Sequence, residues 1–129
     1  MKIIPILFLI LISMFAADAI GQVKQRVRFA AGASGTTVTG TVRGYAYRDY
    51  VVGANAGQTI NVRLTSANTY TVFTVFQPNG DNLEGATEMD EFTGNLPERG
   101  DYVVRVLMMR AGARRPGAVS NYKVKISIE

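Results

Sequence analysis

Three arginines are concentrated in one short stretch near the C-terminus, and their side chains are the first candidates for chemistry in this chain. The stretch from Met109 to Val119 contains Arg110, Arg114 and Arg115 and no acidic residue. A guanidinium group is always charged, and its planar fork matches a carboxylate with two parallel hydrogen bonds. The stretch therefore predicts a loop that recognises an acidic partner. The alternative is a loop that only keeps the surface soluble.

Tyrosines are concentrated in a second stretch, Gly44 to Tyr50, which reads G-Y-A-Y-R-D-Y. Tyrosine offers a rigid amphipathic surface, and Tyr and Arg are both enriched at the hot spots of protein interfaces. Tyr45 and Tyr47 are two positions apart, so they share one face if the segment is extended. The alternative is that these tyrosines cap the core and leave their hydroxyls at the surface. Together the two stretches favour recognition over catalysis.

Catalysis is disfavoured by the residue types that are missing. The chain has no His and no Cys, so the common nucleophile–base pairs cannot be assembled and ordinary zinc sites are excluded. The acidic stretch from Asp81 to Glu91 leaves two alternatives open. Glu88 and Asp90 are a conceivable carboxylate pair for glycoside hydrolysis, and oxygen ligands in this stretch could hold calcium, although the usual calcium-loop spacing is missing. We expect no catalytic residue, no cofactor and no metal.

The elements that must carry these residues are β-strands. Ile60, Val62 and Leu64 alternate with polar residues, and the same period of two runs from Tyr122 to Ile128. Such alternation, with one polar face, is typical of antiparallel sheets. Turn signals rich in Gly, Pro and Asn separate about eight short strands, so the sequence predicts an all-β fold, a single antiparallel β-sandwich. The run from Thr71 to Phe76 is apolar on both faces, which predicts a central position in a sheet.

Residues 1–19 have the pattern of a secretory signal peptide. Lys2 precedes an apolar run from Ile3 to Phe15, and Ala17-Asp18-Ala19 offers a small-x-small cleavage site. The run is shorter than the roughly 20 residues of a membrane-spanning helix, so we expect no membrane association after cleavage. Residues 20–129 then form one domain of 129 − 19 = 110 residues.

The net charge indicates the class of partner, and the cysteine content indicates the cellular compartment. The net charge is +4, which favours acidic partners. Nucleic acid is not expected as a partner, because an exported protein rarely meets it and the chain has no nucleic-acid-binding motif. The absence of Cys excludes disulfides, which fits a bacterial periplasm better than the open extracellular space. We therefore expect a periplasmic protein.

The order and spacing of six motifs resemble the bacterial periplasmic inhibitors of goose-type (g-type) lysozyme, the PliG family. The motifs are V-x-F-x-x-G (Val27 to Gly32), G-x-x-x-G-Y-x-Y-x-x-Y (Gly40 to Tyr50), A-x-x-G-Q (Ala54 to Gln58), L-P-x-x-G-x-Y-x-x-R-V-L (Leu96 to Leu107), R-x-x-x-R (Arg110 to Arg114) and N-Y-x-V-x-I (Asn121 to Ile126). The G-Y-x-Y segment together with R-V-L and R-x-x-x-R is the most specific part. Two departures are Ala46, where the family often has Asp, and the poorly matching region from Thr65 to Thr93.

The resemblance implies a β-sandwich that plugs the substrate cleft of a g-type lysozyme reversibly, with no covalent step. It also implies that a tyrosine of G-Y-x-Y and both arginines of R-x-x-x-R contact the enzyme. In this chain those residues are Tyr45, Arg110 and Arg114, and Tyr47 is a fourth candidate contact from the same segment. The partner that the resemblance implies is g-type lysozyme itself.

An alternative function belongs to another class. The same sandwich is compatible with an exported glycan- or peptide-binding module, like those found beside secreted peptidases, that has no lysozyme partner. In that case the aromatic side chains of Tyr45, Tyr47 and Tyr50 would lie exposed on a sheet face and stack on sugar rings.

Overall fold

The computed structural model of the protein describes residues 22–129, so the expected signal peptide at residues 1–19 lies outside the described residues. Within the described range the chain forms eight strands and one single-turn helix. In chain order these are β1 (Gln22–Arg26), β2 (Gly35–Arg43), β3 (Tyr47–Ala54), β4 (Thr59–Ser66), β5 (Thr71–Phe76), β6 (Glu91–Asn95), β7 (Gly100–Met108), α1 (Arg110–Ala113) and β8 (Val119–Ile128). No helix in this part of the chain is long and apolar enough to cross a bilayer.

The strands form two four-stranded sheets. Sheet A has the order β1-β3-β7-β5, and sheet B has the order β2-β8-β4-β6. Neighbouring strands are antiparallel except β1 and β3, which are parallel. The predicted all-β sandwich of about eight strands is confirmed. The parallel pairing of β1 and β3 is a correction to the predicted antiparallel arrangement. The alternation of residues could not reveal it, because side chains alternate with a period of two in parallel and antiparallel strands alike.

The core lies between the sheets and is filled by the alternating residues of the central strands. Ile60 and Val62 of β4 are fully buried, as are Val124 and Ile126 of β8. Lys125, between the last two, is exposed. Full burial of such an aliphatic side chain stabilises the fold by about 1.5–3 kcal/mol, so this alternation carries much of the driving force for closing the sandwich.

The position of β5 differs from the prediction. Its residues Thr71–Val75 are all buried, yet β5 is an edge strand whose ladder partner is β7. The segment 82–89 covers its other side through bridges between Phe76 and Asn82 and between Phe73 and Met89. Burial on both faces therefore does not require a central position. It arises because part of the acidic stretch closes the edge of the sheet.

Two tyrosines join the sheets in the middle of the sandwich. The hydroxyl oxygens of Tyr50 on β3 and Tyr122 on β8 lie 2.5 Å apart, and the rings meet edge to face. Tyr50 is 1% exposed. Gly40 faces this pair, and a Cβ there would overlap with the Tyr122 hydroxyl. Burial, reinforced by the hydrogen bond with Tyr50, raises the pKa of Tyr122 above its ordinary value, so this hydroxyl stays protonated.

We expect the two hydroxyls to be coupled in their effect on stability. Tyr50→Phe and Tyr122→Phe each leave one buried hydroxyl without its partner, which should lower the free energy of unfolding by about 1–3 kcal/mol. The double variant removes both polar groups, so its loss should be smaller than the sum of the two single losses. Urea denaturation of the wild type, both single variants and the double variant measures this. Additive losses would show that the hydroxyls do not depend on each other.

Candidate protein-binding surface

The two stretches singled out in the sequence lie at one end of the sandwich. We call Gly44–Ala46, between β2 and β3, the tyrosine turn, and 109–118, between β7 and β8, the arginine loop. They are neighbours because β2 pairs with β8 and β3 pairs with β7. The N–H of Gly44 donates a hydrogen bond of 3.0 Å to the carbonyl of Ala118, which joins them directly. We call this end of the molecule the arginine end.

Arg110 and Arg114 project from the arginine loop into solvent. α1 begins at Arg110, and the N–H of Arg114 donates to the Arg110 carbonyl at 3.0 Å, so the two residues are one helical turn apart. Residues with this spacing lie on the same side of a helix. Both are exposed, and neither forms an ion pair with any residue in the described range. The arrangement leaves two arginine side chains exposed on one side of the helical turn.

Arg115 has a different role from the other two arginines. Its guanidinium lies 4.9 Å from the centre of the Tyr70 ring and donates a hydrogen bond of 2.9 Å to the Tyr70 hydroxyl. Tyr70 belongs to the turn between β4 and β5. The third arginine of the loop therefore anchors the loop to a neighbouring turn. Sequence reasoning missed Tyr70, because a single tyrosine next to a turn gives no signal of a contact 45 residues away.

Gly112 serves packing rather than flexibility. The ring of Tyr70 lies directly against it, and a Cβ at position 112 would overlap with the ring atoms. The N–H of Met109 also donates to the Tyr70 carbonyl at 2.8 Å, so both the ring and the backbone of Tyr70 hold the loop. Gly117, with φ of 73°, supplies a left-handed backbone conformation that other residues adopt at a cost.

The C-terminal side of the arginine loop is anchored as well. Asn68 donates from its side-chain amide to the carbonyl of Val119 at 3.1 Å. The buried hydroxyl of Ser120 is hydrogen-bonded to the hydroxyls of Thr71, at 2.6 Å, and Ser66, at 3.0 Å. Both ends of the loop are thus attached to the connection between β4 and β5. The exposed arginines extend from a loop that is already ordered in the free protein.

The structure separates the two candidate tyrosines. Tyr45 lies in the tyrosine turn with 65% of its surface exposed, whereas Tyr47 is the first residue of β3 and is half-buried. The N–H of Ala46 donates to the carbonyl of Arg43 at 3.0 Å, which closes the turn. The segment is therefore not extended at Tyr45, and the condition for a common face of Tyr45 and Tyr47 is not met.

Tyr47 is covered by Arg105 on the outer face of sheet A. The guanidinium lies 3.9 Å from the centre of the Tyr47 ring and 4.9 Å from that of Phe76. It also donates two hydrogen bonds, of 2.8 and 3.0 Å, to the carboxylate of Asp49, which is 5% exposed. The hydrogen bond to Asp49 outweighs desolvation and raises the pKa of Arg105, so this guanidinium stays protonated. Arg105 therefore fixes the ring that begins β3.

The acidic stretch does not neutralise the arginine loop. Glu91 pairs with Arg63 on sheet B at 2.7 Å, and within the described range no carboxylate of the stretch pairs with an arginine of the loop. Glu88 and Asp90, the carboxylates considered for glycoside hydrolysis, are exposed. Among the described residues there is also no group of three or more His, Cys, Asp or Glu placed to hold a metal ion.

Comparison with known proteins places this architecture among lysozyme inhibitors. The chain is 30% identical over 131 residues to the inhibitor of g-type lysozyme of Escherichia coli K12, covering 99% of this chain and 95% of that protein. The crystal structure of Aeromonas hydrophila PliG, a periplasmic inhibitor of g-type lysozyme, matches with a TM-score of 0.73 and 30% identity over 84% of this chain and 98% of that one. No protein-family model matches.

A more distant likeness concerns the fold alone. The pre-peptidase C-terminal domain of a Bacillus anthracis collagenase matches with a TM-score of 0.55 and 12% identity over 87% of this chain and 100% of that domain. The sandwich is therefore shared with peptidase-associated modules, while the sequence likeness is to the inhibitors.

We expect Arg115→Ala to loosen the arginine loop and Arg114→Ala to leave it ordered. Arg115→Ala removes the stacking and the hydrogen bond to Tyr70, worth together about 1–2 kcal/mol, so amide exchange in residues 109–118 should accelerate about 5- to 30-fold. Arg114→Ala removes the same charge from the neighbouring position without touching Tyr70. Hydrogen–deuterium exchange followed by mass spectrometry measures both. Equal protection in the two variants would show that Arg115 does not anchor the loop.

Proposed function

The chain belongs to the PliG family of periplasmic inhibitors of g-type lysozyme, and we propose that it inhibits a g-type lysozyme by placing Arg110 and Arg114 in the enzyme's substrate cleft. The observation that carries the proposal is their placement. Both arginines are exposed and one helical turn apart, without an internal carboxylate partner in the described range, at the same end as the exposed Tyr45. The chain is thus a protein inhibitor and not an enzyme.

The proposed compartment is the periplasm. The structurally similar PliG protein is described as periplasmic, and residues 1–19 of this chain have the composition of a signal peptide. In this compartment the protein would guard the peptidoglycan of the cell that makes it. Cleavage after Ala19 would leave residues 20–129, which include the β-sandwich described above.

The proposed mechanism follows from the chemistry of the arginine end and of the lysozyme cleft. A lysozyme cleft must contain at least one catalytic carboxylic acid. A guanidinium delivered into the cleft forms charge-assisted hydrogen bonds with that acid and fills space that a sugar ring needs. Tyr45 adds a rigid aromatic contact at the same end of the molecule, and Tyr47 is proposed as a fourth contact at the base of the tyrosine turn. No bond is made or broken, so inhibition is reversible and stoichiometric.

The anchoring of the arginine loop supports tight binding. Ordering flexible side chains and loops on association consumes part of the interaction free energy, about 0.5–1.5 kcal/mol for each immobilised side chain. The arginine loop is held at both ends before any partner arrives, through Tyr70 and Asn68. Much of its ordering is therefore completed during folding, and binding has to fix mainly the long arginine side chains.

The alternative, a glycan-binding module, has less support. It depends on three tyrosines exposed on one sheet face. Tyr50 is buried against Tyr122, and Tyr47 is covered by Arg105, which leaves Tyr45 as the one exposed side chain of the three. A single ring in a turn is a small platform for stacking on a sugar chain.

A lysis assay tests the function directly. Purified protein is mixed at equimolar and excess amounts with a g-type and a chicken-type lysozyme, and the clearing of a cell-wall suspension is followed. We expect the g-type enzyme to be inhibited and the chicken-type enzyme to stay active. Unchanged lysis by several g-type enzymes would reject the proposal. Binding to peptidoglycan fragments without lysozyme would favour the glycan-binding alternative instead.

Substitution of the exposed arginines tests the site. Arg110→Ala and Arg114→Ala should each weaken inhibition about 30- to 1,000-fold, because a desolvated hot-spot arginine contributes about 2–4 kcal/mol. Both positions are exposed, so the unfolding free energy should change by no more than about 0.5 kcal/mol. Arg99→Ala is the matched control: it removes an equal charge from an exposed turn next to β7 at the opposite end. Inhibition equally weakened by Arg99→Ala would point to net charge rather than to the arginine end.

A further inference from the structure

The outer face of sheet A carries an apolar strip. Val51 of β3 pairs with Val103 of β7, which pairs in turn with Phe76 of β5, so the three side chains are neighbours across the sheet. They point away from the core, because the adjacent residues Val52 and Val104 fill it. All three are half-buried and keep part of their surface accessible. An outward sheet face is normally polar, so a strip that departs from this is a candidate for binding.

The strip belongs to a groove of about 790 Å³. The groove is bounded on one side by Lys24 and Arg26 of β1, and on the other by Gln77 and Pro78 of the turn after β5. Pro78 packs closely against the start of β7, because Gly100 has no Cβ that would overlap with the proline ring. Small-molecule sites have volumes of about 300–1,000 Å³, so the groove has the size of such a site.

The groove has two ion pairs and one further cation. On the side of the arginine end, Asp49 accepts the two hydrogen bonds of Arg105. On the other side, Arg26 donates to the carboxylate of Asp101 at 2.6 Å. Lys24, the ladder partner of Asp49, is exposed and forms no ion pair with any residue in the described range. The groove therefore keeps one positive charge without an internal partner in this range.

The mixture of groups in the groove determines which ligand chemistry fits. A cationic ligand would meet Lys24 and Arg26, and a highly charged anion would meet the exposed carboxylate of Asp101. A purely apolar ligand would leave these groups without hydrogen-bonding partners. A sugar ring has hydroxyls that both donate and accept, and its C–H faces suit the apolar strip. The ammonium of Lys24 adds a place for one carboxylate.

We propose that the groove binds the glycan of peptidoglycan, with sugar rings against Val51 and Val103 and a carboxylate at Lys24. Peptidoglycan combines N-acetylated sugar rings with the carboxylates of its short peptides, which is the combination that the groove accommodates. The choice of this glycan rests on the proposed function, because a periplasmic lysozyme inhibitor lies beside peptidoglycan. The assignment adds a second binding site to the one proposed at the arginine end.

The groove and the arginine end are separate. Val51 is four residues beyond Tyr47 on β3, which corresponds to about 13 Å along the strand. The groove also opens on the outer face of sheet A, whereas Arg110 and Arg114 project from the end of the sandwich. One molecule would therefore hold the wall polymer and bind the enzyme that attacks it. Such tethering raises the effective concentration of the inhibitor where a lysozyme acts.

Isothermal titration calorimetry of the exported protein with a disaccharide–peptide fragment of peptidoglycan tests the proposal. We expect one fragment to bind per protein. Lys24→Gln removes the ammonium and should raise the dissociation constant about tenfold. Val51→Trp fills the groove and should abolish binding. Lys123→Gln is the matched control: it removes an equal charge from an exposed position on sheet B and should leave the dissociation constant unchanged.

A neutral sugar tests the two parts of the site separately. The trimer of N-acetylglucosamine has the sugar rings without the carboxylates, so it should bind more weakly than the fragment. Lys24→Gln should leave its binding unchanged, whereas Val51→Trp should abolish it. Equal weakening of both ligands by Lys24→Gln would overturn the assignment of the carboxylate to Lys24.

Three results would overturn the groove as a whole. The first is a wild-type protein that does not bind the fragment at millimolar concentration. The second is fragment binding that both groove variants retain, and its loss in Tyr45→Ala would then assign the sugar to the tyrosine turn, as the glycan-binding alternative requires. The third is equal weakening by Lys24→Gln and Lys123→Gln, which would show that only net charge attracts the fragment.

Binding to g-type lysozyme without any glycan separates this site from the proposed function. Lys24→Gln and Val51→Trp should bind the enzyme as the wild type does, because both positions are outside the arginine end, and circular dichroism confirms that both variants fold. Fragment binding together with lysozyme binding is the expected result for the wild type. A wild-type protein that binds the fragment through the groove and ignores lysozyme would reject the proposed function and leave the glycan site standing.

Discussion

The attachment of the arginine loop to Tyr70 is the contact on which the proposed recognition surface depends. One residue supplies a ring against Gly112, a carbonyl to Met109 and a hydroxyl to Arg115. A loop that contains three arginines within six residues has no electrostatic reason to stay compact, because like charges repel. Packing against an aromatic ring and hydrogen bonds to a neighbouring turn provide that order instead. The position of Arg110 is therefore determined by contacts that Arg110 itself does not make.

The sandwich separates stability from recognition. Buried side chains from the central strands β3, β7, β8 and β4 form the core, and the paired hydroxyls of Tyr50 and Tyr122 connect the two sheets within it. The turns at the arginine end contribute little to that core, with Ala113 as the buried exception. Exposed residues of these turns such as Arg110 and Arg114 tolerate change, because their substitution leaves the packing intact. A docking surface can therefore be adjusted to a particular enzyme without loss of the fold.

The sequence allowed much of the fold and part of the site to be predicted, and the limits have physical causes. Alternation in β4 and β8 revealed their buried faces, since burial of one sheet face imposes a period of two. The same period says nothing about partner or direction, so the parallel β1–β3 pair and the edge position of β5 were missed. At the candidate site, the clustering of charge singled out Arg110 and Arg114, and their contact with a partner stays a prediction. The contact between Arg115 and Tyr70 joins residues far apart in the chain, and no local sequence pattern predicts such a contact.

The arginines of this protein show how the scaffold decides which charge is available to a partner. The guanidinium of Arg105 is already satisfied by the carboxylate of Asp49 and two aromatic rings, and that of Arg115 is stacked on one. A guanidinium already paired with a carboxylate, like that of Arg105, gains little from an external acid, because the new hydrogen bonds only replace existing ones. Arg110 and Arg114 have no internal acid within the described range, so the hydrogen bonds of the proposed contact with an external carboxylate would replace none made within the protein. The cleft of a glycosidase must hold such a group in a place shielded from water, and that is where an unpaired guanidinium contributes most to binding.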